Sequence, residues 1–448
     1  MYDPLLLPEL REMLLEDDTQ AMQEFCEVFH SGVVAENLEA LTNEEIWRVL
    51  SHTPLRRRVE IFEFLSLLRQ VELVTTLDKA HLSALLEEMA PDDRATLLKN
   101  MDQEQVELLL PLIAQAERGD IRKLLSYSEH SAGSIMTTEY ASLREDMTVR
   151  DALTQLRTQA PNRETIYYVY VLDDARHLHG FVSLRTLILA RPETLVADLM
   201  DKDVISVRVD EDQESVANRM ARYDFIAMPV VDDQGRLVGI ITHDDVLDVV
   251  QQEATEDVHM LGGVSPLEDG YLSTPFVTLA WKRGIWLVLL LVAGLGTSAV
   301  LKHYNDETQH LLWLVWFTPL VLAAGGNAGS QSATLVIRAM ALGQLNRETQ
   351  FRIGRREVAT GLVLGGTLAL LAFTFASQFF RVSLPDAAVV AATVALVVTL
   401  GTVNGTLLPM VLKHLGMDPA LMSNPLIASL SDMLGVLIYY NVALLLIV

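Results

Sequence analysis

Cysteine is all but missing from this chain. Cys26 stands alone in 448 residues, so no internal disulfide can staple the fold, as expected for a soluble part in a reducing cytosol. Basic side chains are scarce at the front: the first 270 residues hold 24 against 52 acidic ones, net −28, while the remainder holds ten against seven, net +3. Such a front repels nucleic acid, which proteins bind by displacing counterions with Lys and Arg, and attracts cations. No Walker motif, nucleophile elbow or zinc-ligand spacing occurs, which leaves an enzyme without machinery. The opening MYDPLLLPELREMLLEDD has neither a basic n-region nor a sustained apolar core, so no signal peptide is expected.

Mean hydropathy is nonetheless positive, and that combination divides the chain into unlike zones. Residues 1–130 carry apolar positions at helical spacing, as in HLSALLEEMA and DQEQVELLLPLIAQA, with capping signals such as those of APDDRATLLKNM. They predict short amphipathic helices stacked into a bundle or superhelix. His30, His52 and His81 are scattered and form no ligand set. Residues 131–252 contain a repeat. VLDDARHLHGFVSLRTLI returns 59 residues later as VVDDQGRLVGIITHDDVL, aligning Asp173 with Asp232, Gly180 with Gly239 and Ser183 with Thr242. Each copy reads as helix, strand, turn, strand, helix.

From 271 onward, apolar stretches near 284–304, 311–337, 357–380, 387–412 and 423–447 are each long enough to cross about 30 Å of hydrocarbon, giving five expected spans. Lys282, Arg283, Arg338, Arg347, Arg352, Arg355, Arg356 and Lys413 flank one side, and Lys302 and Arg381 the other. The asymmetry places the N-terminus inside and the C-terminus outside, in a cell membrane. Between the repeat and the spans, residues 244–270 read as a connecting helix closed by Gly262 and Gly263. It bears Asp244, Asp245, Asp248, Glu253, Glu256 and Asp257, a carboxylate row that points to cation binding.

Asp432, in LSDMLGVLIYY, is a carboxylate in a lipid-length segment, where an ionised acid costs about 2.5–3.5 kcal/mol or more and is read as functional. The second span carries Gly325, Gly326 and Gly329 for close backbone approach, with Asn327, Ser330 and Gln331 supplying polar atoms at bilayer depth. Asn424, Pro425, Ala428 and Ser429 precede Asp432, and Pro425 is expected to loosen a carbonyl such as that of Ala428. No second buried titratable partner is evident among the spans.

GGNAGSQSATLVIRA, DPALMSNPLIASLSD and the EATEDVH helix after the repeat together resemble the MgtE family of magnesium channels and transporters, and the repeat resembles a tandem pair of CBS domains. The resemblance implies a multidomain membrane protein: an all-α superhelical N domain (1–130), an α/β tandem CBS pair (131–252), a plug-like connecting helix (244–270) and a five-helix transmembrane pore domain (271–448). It further implies a homodimer in lipid, closed by high internal Mg2+. Carried over by motif, Asp432, Asn424, Ala428, Asn327 and Gln331 form the pore site for Mg2+. Asp93, Asp212, Glu214, Asp224, Asp245, Asp248, Glu253, Glu256 and Asp257 are the implied regulatory acids. Ser330 departs from the family, which usually has Asn there. ATP is a further candidate ligand of the CBS pair, through Tyr168, Arg185 and Phe225. The ribose-contacting pair is complete in the second copy, Thr242 with Asp245, but Thr186 replaces the acid in the first.

The chemistry agrees with the resemblance. Mg2+ dehydrates reluctantly and commonly keeps several waters, so a conduction site needs only one or two carboxylates and carbonyls, and two-fold symmetry would bring two Asp432 side chains to the axis. Two other readings compete: a proton-coupled transporter of another solute, regulated by nucleotide, and a membrane-anchored scaffold that moves nothing.

Overall fold

A computed structural model of the protein describes residues 6–109, 115–267, 270–272, 274–308, 311–342, 344–345 and 347–447. Part of DQEQVELLLPLIAQA, residues 110–114, lies outside this set, as do residues 268–269 of the connecting segment and the side chain of Arg347. The chain forms two compact units, 1–250 and 251–448.

The first unit begins with short helices whose starts are capped as the residues predict. Asp18 accepts the Ala21 N–H, Asp78 accepts those of Ala80 and His81, and Thr42 with Glu45 forms a reciprocal capping box. Pro91 opens the helix Pro91–Lys99, where its missing N–H costs no hydrogen bond. The apolar stripes meet in one core that includes Met22, Phe25, Leu50, Phe62 and Leu85, and Cys26 is buried within it. His30 caps the helix Ser31–Leu38 through the Gly32 N–H, a structural duty.

The repeat folds into two three-stranded sheets, β1 (Tyr140–Leu143), β2 (Thr165–Leu172) and β3 (Leu178–Ser183), then β4 (Val207–Arg208), β5 (Ala227–Val231) and β6 (Leu237–Thr242). In each sheet the first strand runs parallel and the third antiparallel to the middle one. The register is duplicated as well: Gly180 faces Val171 and Gly239 faces Val230, each next to a bulge. Both glycines are there for close approach. A Cβ on Gly180 would lie 2.6 Å from the Asp201 carbonyl oxygen, and one on Gly239 would lie 2.7 Å from that of Thr137. Tyr140, Tyr170, Leu237 and Ile240 pack the two sheets together. The leading strands β1 and β4 are absent from the sequence expectation. Four and two residues long, they are too short to show a period of two.

The second copy ends in the helix His243–Leu261, stopped by Gly263 at φ 69°, a conformation glycine adopts without cost. In the second unit, five long helices follow: Phe276–Thr308, Trp313–Ala341, Arg347–Thr374, Leu384–His414 and Asn424–Ile447. The third continues as a π-turn, Phe375–Phe379. They contain the five expected spans to within a residue or two, but among the described residues four of them are both long and apolar enough to qualify as membrane-crossing. The second falls short because GGNAGSQS interrupts its apolar sequence. Its Gly325, Gly326, Gly329, Ser332 and Ala333 are buried against neighbouring helices, so protein, not lipid, covers that part of it.

Candidate functional site

The second and fifth long helices cross through small residues. A Cβ on Gly326 would lie 3.3 Å from the Ala428 Cβ and 3.5 Å from Asp432 Oδ1, and one on Gly329 would lie 3.0 Å from Ile427. One turn along, Ser330 Oγ donates to the Asn424 carbonyl at 3.1 Å, and Thr334 Oγ1 donates to Asn424 Oδ1 at 3.2 Å. The serine that departs from the family pattern therefore pins Asn424. Asn424, Ala428 and Asp432 follow at four-residue spacing on one face of the fifth helix, all partly buried, while Asn327, Gln331 and Thr334 form an exposed stripe on the second. Amides and a carboxylate at bilayer depth need water, an ion or another protein surface, because lipid offers no hydrogen bonds.

Pro425 corrects an expectation. It occupies the first turn of the helix Asn424–Ile447 and does not kink it. A missing N–H there would have served the carbonyl four residues earlier, so the proline does not free that of Ala428. A second titratable group does have a partner among the long helices: Glu357 on the third, partly buried, accepts a hydrogen bond from Ser332 at 2.6 Å. The two lie 25 residues apart, with nothing in their spacing to link them.

In the first unit the structure gathers Asp93, Asp245 and Asp248 with Asp244 of the same carboxylate row and with three acids the sequence did not single out: Asp92, Glu63 and Glu164. Desolvation by the surrounding protein and then Asp244 and Asp248 push Asp93 up to about 6. Asp93 and Glu164 still open onto solvent on one side, while protein crowds them on the others. Desolvation raises Asp245 to about 7 against the hydrogen bond that Thr242 donates to it at 2.5 Å, with Asp244 and Asp93 adding to the rise. Glu63 rises to about 7 through desolvation and then Asp93. Asp92 is driven well above the carboxylate range by burial, and its Oδ1 has no hydrogen-bond partner among the described residues. A cavity of about 830 Å³, lined by Glu63, Glu139 and Glu164 together with Arg56, Arg94 and Arg163, adjoins this group.

The other regulatory candidates occupy separate places. Asp212 caps the helix Gln213–Tyr223 through the Ser215 N–H, Glu214 lies in its first turn, and Asp224 ends it at φ 54°. Asp257 in the second unit is half-buried. Desolvation raises its carboxyl first, then Asp418 and Glu253, with Arg338 opposing and Glu256 adding a smaller rise. Among the described residues no three His, Cys, Asp or Glu side chains converge on one ion position; a cation held here would keep most of its water, as Mg2+ does. Of the nucleotide candidates, Tyr168 packs edge-on to Phe181, Phe225 stacks on Tyr223 and Arg185 is exposed. Ser183 caps the helix Leu184–Leu189 and bonds the Thr186 hydroxyl at 2.8 Å.

A bundle of long apolar helices with a polar stripe, in one chain with a helical domain and paired α/β repeats, defines a multidomain membrane transport protein. Family comparison agrees in every zone: the model described as MgtE intracellular N domain matches 29–130, CBS domains match 132–193 and 196–252, and the divalent cation transporter model matches 318–442. The chain is 42% identical over 445 residues to the magnesium transporter MgtE of Thermus thermophilus, covering 98% of each, and 36% identical over 374 residues to that of Bacillus subtilis, covering 84% of this chain and 82% of the relative. Its soluble part is similar to the crystal structure of the cytosolic domain of the Mg2+ channel MgtE in complex with ATP, with 43% identity, a TM-score of 0.52, and coverage of 54% of this chain and 99% of that one. The chain belongs to the MgtE family of divalent cation transporters, and is thus a membrane transporter, not an enzyme.

Proposed function

We propose that this protein takes up Mg2+ along a path bordered by Asp432, the Asn424 and Ala428 positions of the fifth helix, and Asn327 and Gln331 of the second. The observation that carries the reading is the carboxylate of Asp432 against Gly326, next to an amide-bearing stripe left exposed among the described residues. One carboxylate per chain offers a hydrated divalent ion attraction without a full cage, so the ion can leave again. A second copy related by a two-fold axis would double that charge and shield the stripe from lipid. The relatives named above are magnesium transporters, which favours Mg2+ over another solute and transport over a passive scaffold. The basic flanks place the soluble part in the cytosol.

Regulation follows from charge. In this reading Asp93, Asp245 and Asp248 in one group, and Glu253, Glu256 and Asp257 in another, repel until internal Mg2+ neutralises them and favours the closed form. Asp212, Glu214 and Asp224 add to the negative field. Binding only to the closed form at 100 times the dissociation constant supplies about 2.7 kcal/mol per independent site, so several weak sites make a steep switch. The helix His243–Leu261 carries Asp245 and Asp248 of the first group and all three acids of the second, and in this reading it is the connecting plug. ATP is the second ligand of the CBS pair, a reading supported by the ATP complex of the similar soluble part and by the Thr242–Asp245 pair; Tyr168, Arg185 and Phe225 are its candidate contacts.

The test is Mg2+ flux into liposomes containing purified protein, wild type against Asp432→Ala and Asp432→Asn. Loss of flux in both folded variants supports the path. Flux that tracks a proton gradient while divalent ions stay at background would favour the proton-coupled alternative.

A further inference from the structure

The seam between the second and fourth long helices is built from glycine. A Cβ on Gly401 would lie 2.6 Å from the Gly325 carbonyl oxygen, and one on Gly405 would overlap that of Gly329. The third helix joins in the same way: a Cβ on Gly365 would lie 2.7 Å from the Ala395 carbonyl oxygen, and one on Gly361 would overlap the Thr402 hydroxyl. Glycine seams bring backbones close but present no ridges, so packing alone fixes rotation and register weakly.

One polar cluster lies across this seam. Ser332 Oγ, buried on the second helix, is 2.6 Å from Glu357 Oε2 of the third, and 3.0 Å from the Thr402 carbonyl and 2.9 Å from the Thr406 hydroxyl of the fourth. Thr406 Oγ1 also lies 2.9 Å from the Thr402 carbonyl oxygen of its own helix. Each hydroxyl has a single proton, so the arrangement that links all three helices is Thr406 donating to Ser332 Oγ while Ser332 donates to Glu357. The geometry is thus directional, and it ties three helices at one point. Ser332 follows Gln331 directly and faces away from the exposed Asn327 and Gln331 stripe, so fixing Ser332 fixes where that stripe points.

We propose that Glu357 is a positioning residue for transport, which through Ser332 sets the rotation of the second helix and thereby holds Gly326 against Asp432. This rests on the reading of Asp432 as a path residue.

The experiment measures Mg2+ flux and its concentration dependence in proteoliposomes of the full chain, for Glu357→Ala, Glu357→Gln, Ser332→Ala and the double Ser332→Ala/Glu357→Ala, with Asp432→Asn alongside. Expected are a roughly five- to tenfold fall in maximal flux for Glu357→Ala and for Ser332→Ala, with half-saturating Mg2+ within about twofold of wild type. Glu357→Gln, which keeps an acceptor for the Ser332 proton, should stay within about twofold of wild type, and the double variant should be no worse than the poorer single one. Wild-type flux in both single variants, multiplied losses in the double, or a Glu357→Gln protein as impaired as Glu357→Ala would each overturn the proposal, the last by assigning the charge itself to the ion. Should Glu357→Ala fail to fold, Ser332→Ala and its rescue by Ser332→Thr decide instead: wild-type flux in Ser332→Ala, or no rescue by Thr, overturns it. Asp432→Asn separates the two readings, because its unchanged flux would sink the path, whereas its lost flux beside uncoupled Ser332 and Glu357 would sink only the latch.

Discussion

The soluble and membrane units handle carboxylates in opposite ways. In the first unit acids are crowded together, so Asp93, Asp245 and Glu63 are raised to between about 6 and 7 by desolvation and by neighbouring acids, and Asp92 keeps a buried oxygen without a partner among the described residues. In the long helices Asp432 and Glu357 stand singly, one against a glycine and the other on a serine hydroxyl. On the reading proposed above, the crowded acids act by number: any one contributes little, and their mutual repulsion waits for a counter-ion. The single acids, on the same reading, act by placement, since in a medium without water each depends on the few atoms that touch it. Substitution should therefore be abrupt in the second unit and graded in the first.

Asp432→Ala is the sharpest way to break that contrast. It should lower Mg2+ flux by roughly a hundredfold, a loss of about 2.7 kcal/mol of stabilisation along the path, with the protein still eluting as a folded species in detergent. A loss no larger than that from one soluble acid would erase the distinction. Next in size is the seam. Gly405→Ala inserts a methyl against the Gly329 backbone carbonyl, where no flexible side chain can yield, and should destabilise the second unit by about 1–3 kcal/mol or more. A lowered thermal midpoint in detergent would register it, while Gly366→Ala, which meets open space, should leave the midpoint unchanged.

Legibility in the sequence follows the same division. Local rules were readable: the helix start in APDDRATLLKNM, the stop at Gly263, and the 59-residue repeat whose glycines prove to be sites of backbone approach. Asp432 and its helical neighbours were visible because an acid in an apolar run is conspicuous at short range. Pairings across long separations were not. Nothing local connects Glu357 with Ser332, or Asp257 with Asp418, and Asp92 looks like any first-turn acid until the fold buries it. The second helix was readable as a span by its length, but its polar residues mark a buried seam on one face and an exposed stripe on another, a distinction that requires the neighbouring helices.

For the soluble acids, neutralising Glu253, Glu256 and Asp257 together should raise the internal Mg2+ needed for half-inhibition several-fold, since removing one site at 100 times its dissociation constant removes about 2.7 kcal/mol of preference for the closed form. Flux measured against internal Mg2+ reads it, and unchanged inhibition would reject the sensor. Each acid alone should shift the curve far less. Protons should imitate the cation. The folded first unit binds protons more tightly than the unfolded chain between the ordinary carboxylate range and about pH 7, because Asp93, Asp245 and Glu63 titrate late. Stability without Mg2+ must then fall as pH rises through 6 to 7 in that window. Hydrogen exchange on the full chain at pH 5.5 and 8, corrected for intrinsic rates, should show looser protection of Pro91–Lys99 at the higher pH, and added Mg2+ should restore it. Protection that grows with pH would mean these carboxylates are already paired.

The smallest effect belongs to a site outside both groups. Thr42 and Glu45 satisfy two backbone N–H groups at the start of the helix Asn43–Ser51, with Glu45 Oε2 also accepting the Thr42 hydroxyl at 2.9 Å. Thr42→Ala removes one side of the box and should cost about 1 kcal/mol, visible as faster exchange in that helix. Because a cap acts only on its own first turn, Mg2+ inhibition should keep its midpoint and steepness. A shift in that midpoint comparable to the triple acid variant would mean that the regulatory response measures the stability of the whole first unit and not the charge of its acids, and the contrast between number and placement would have to be abandoned.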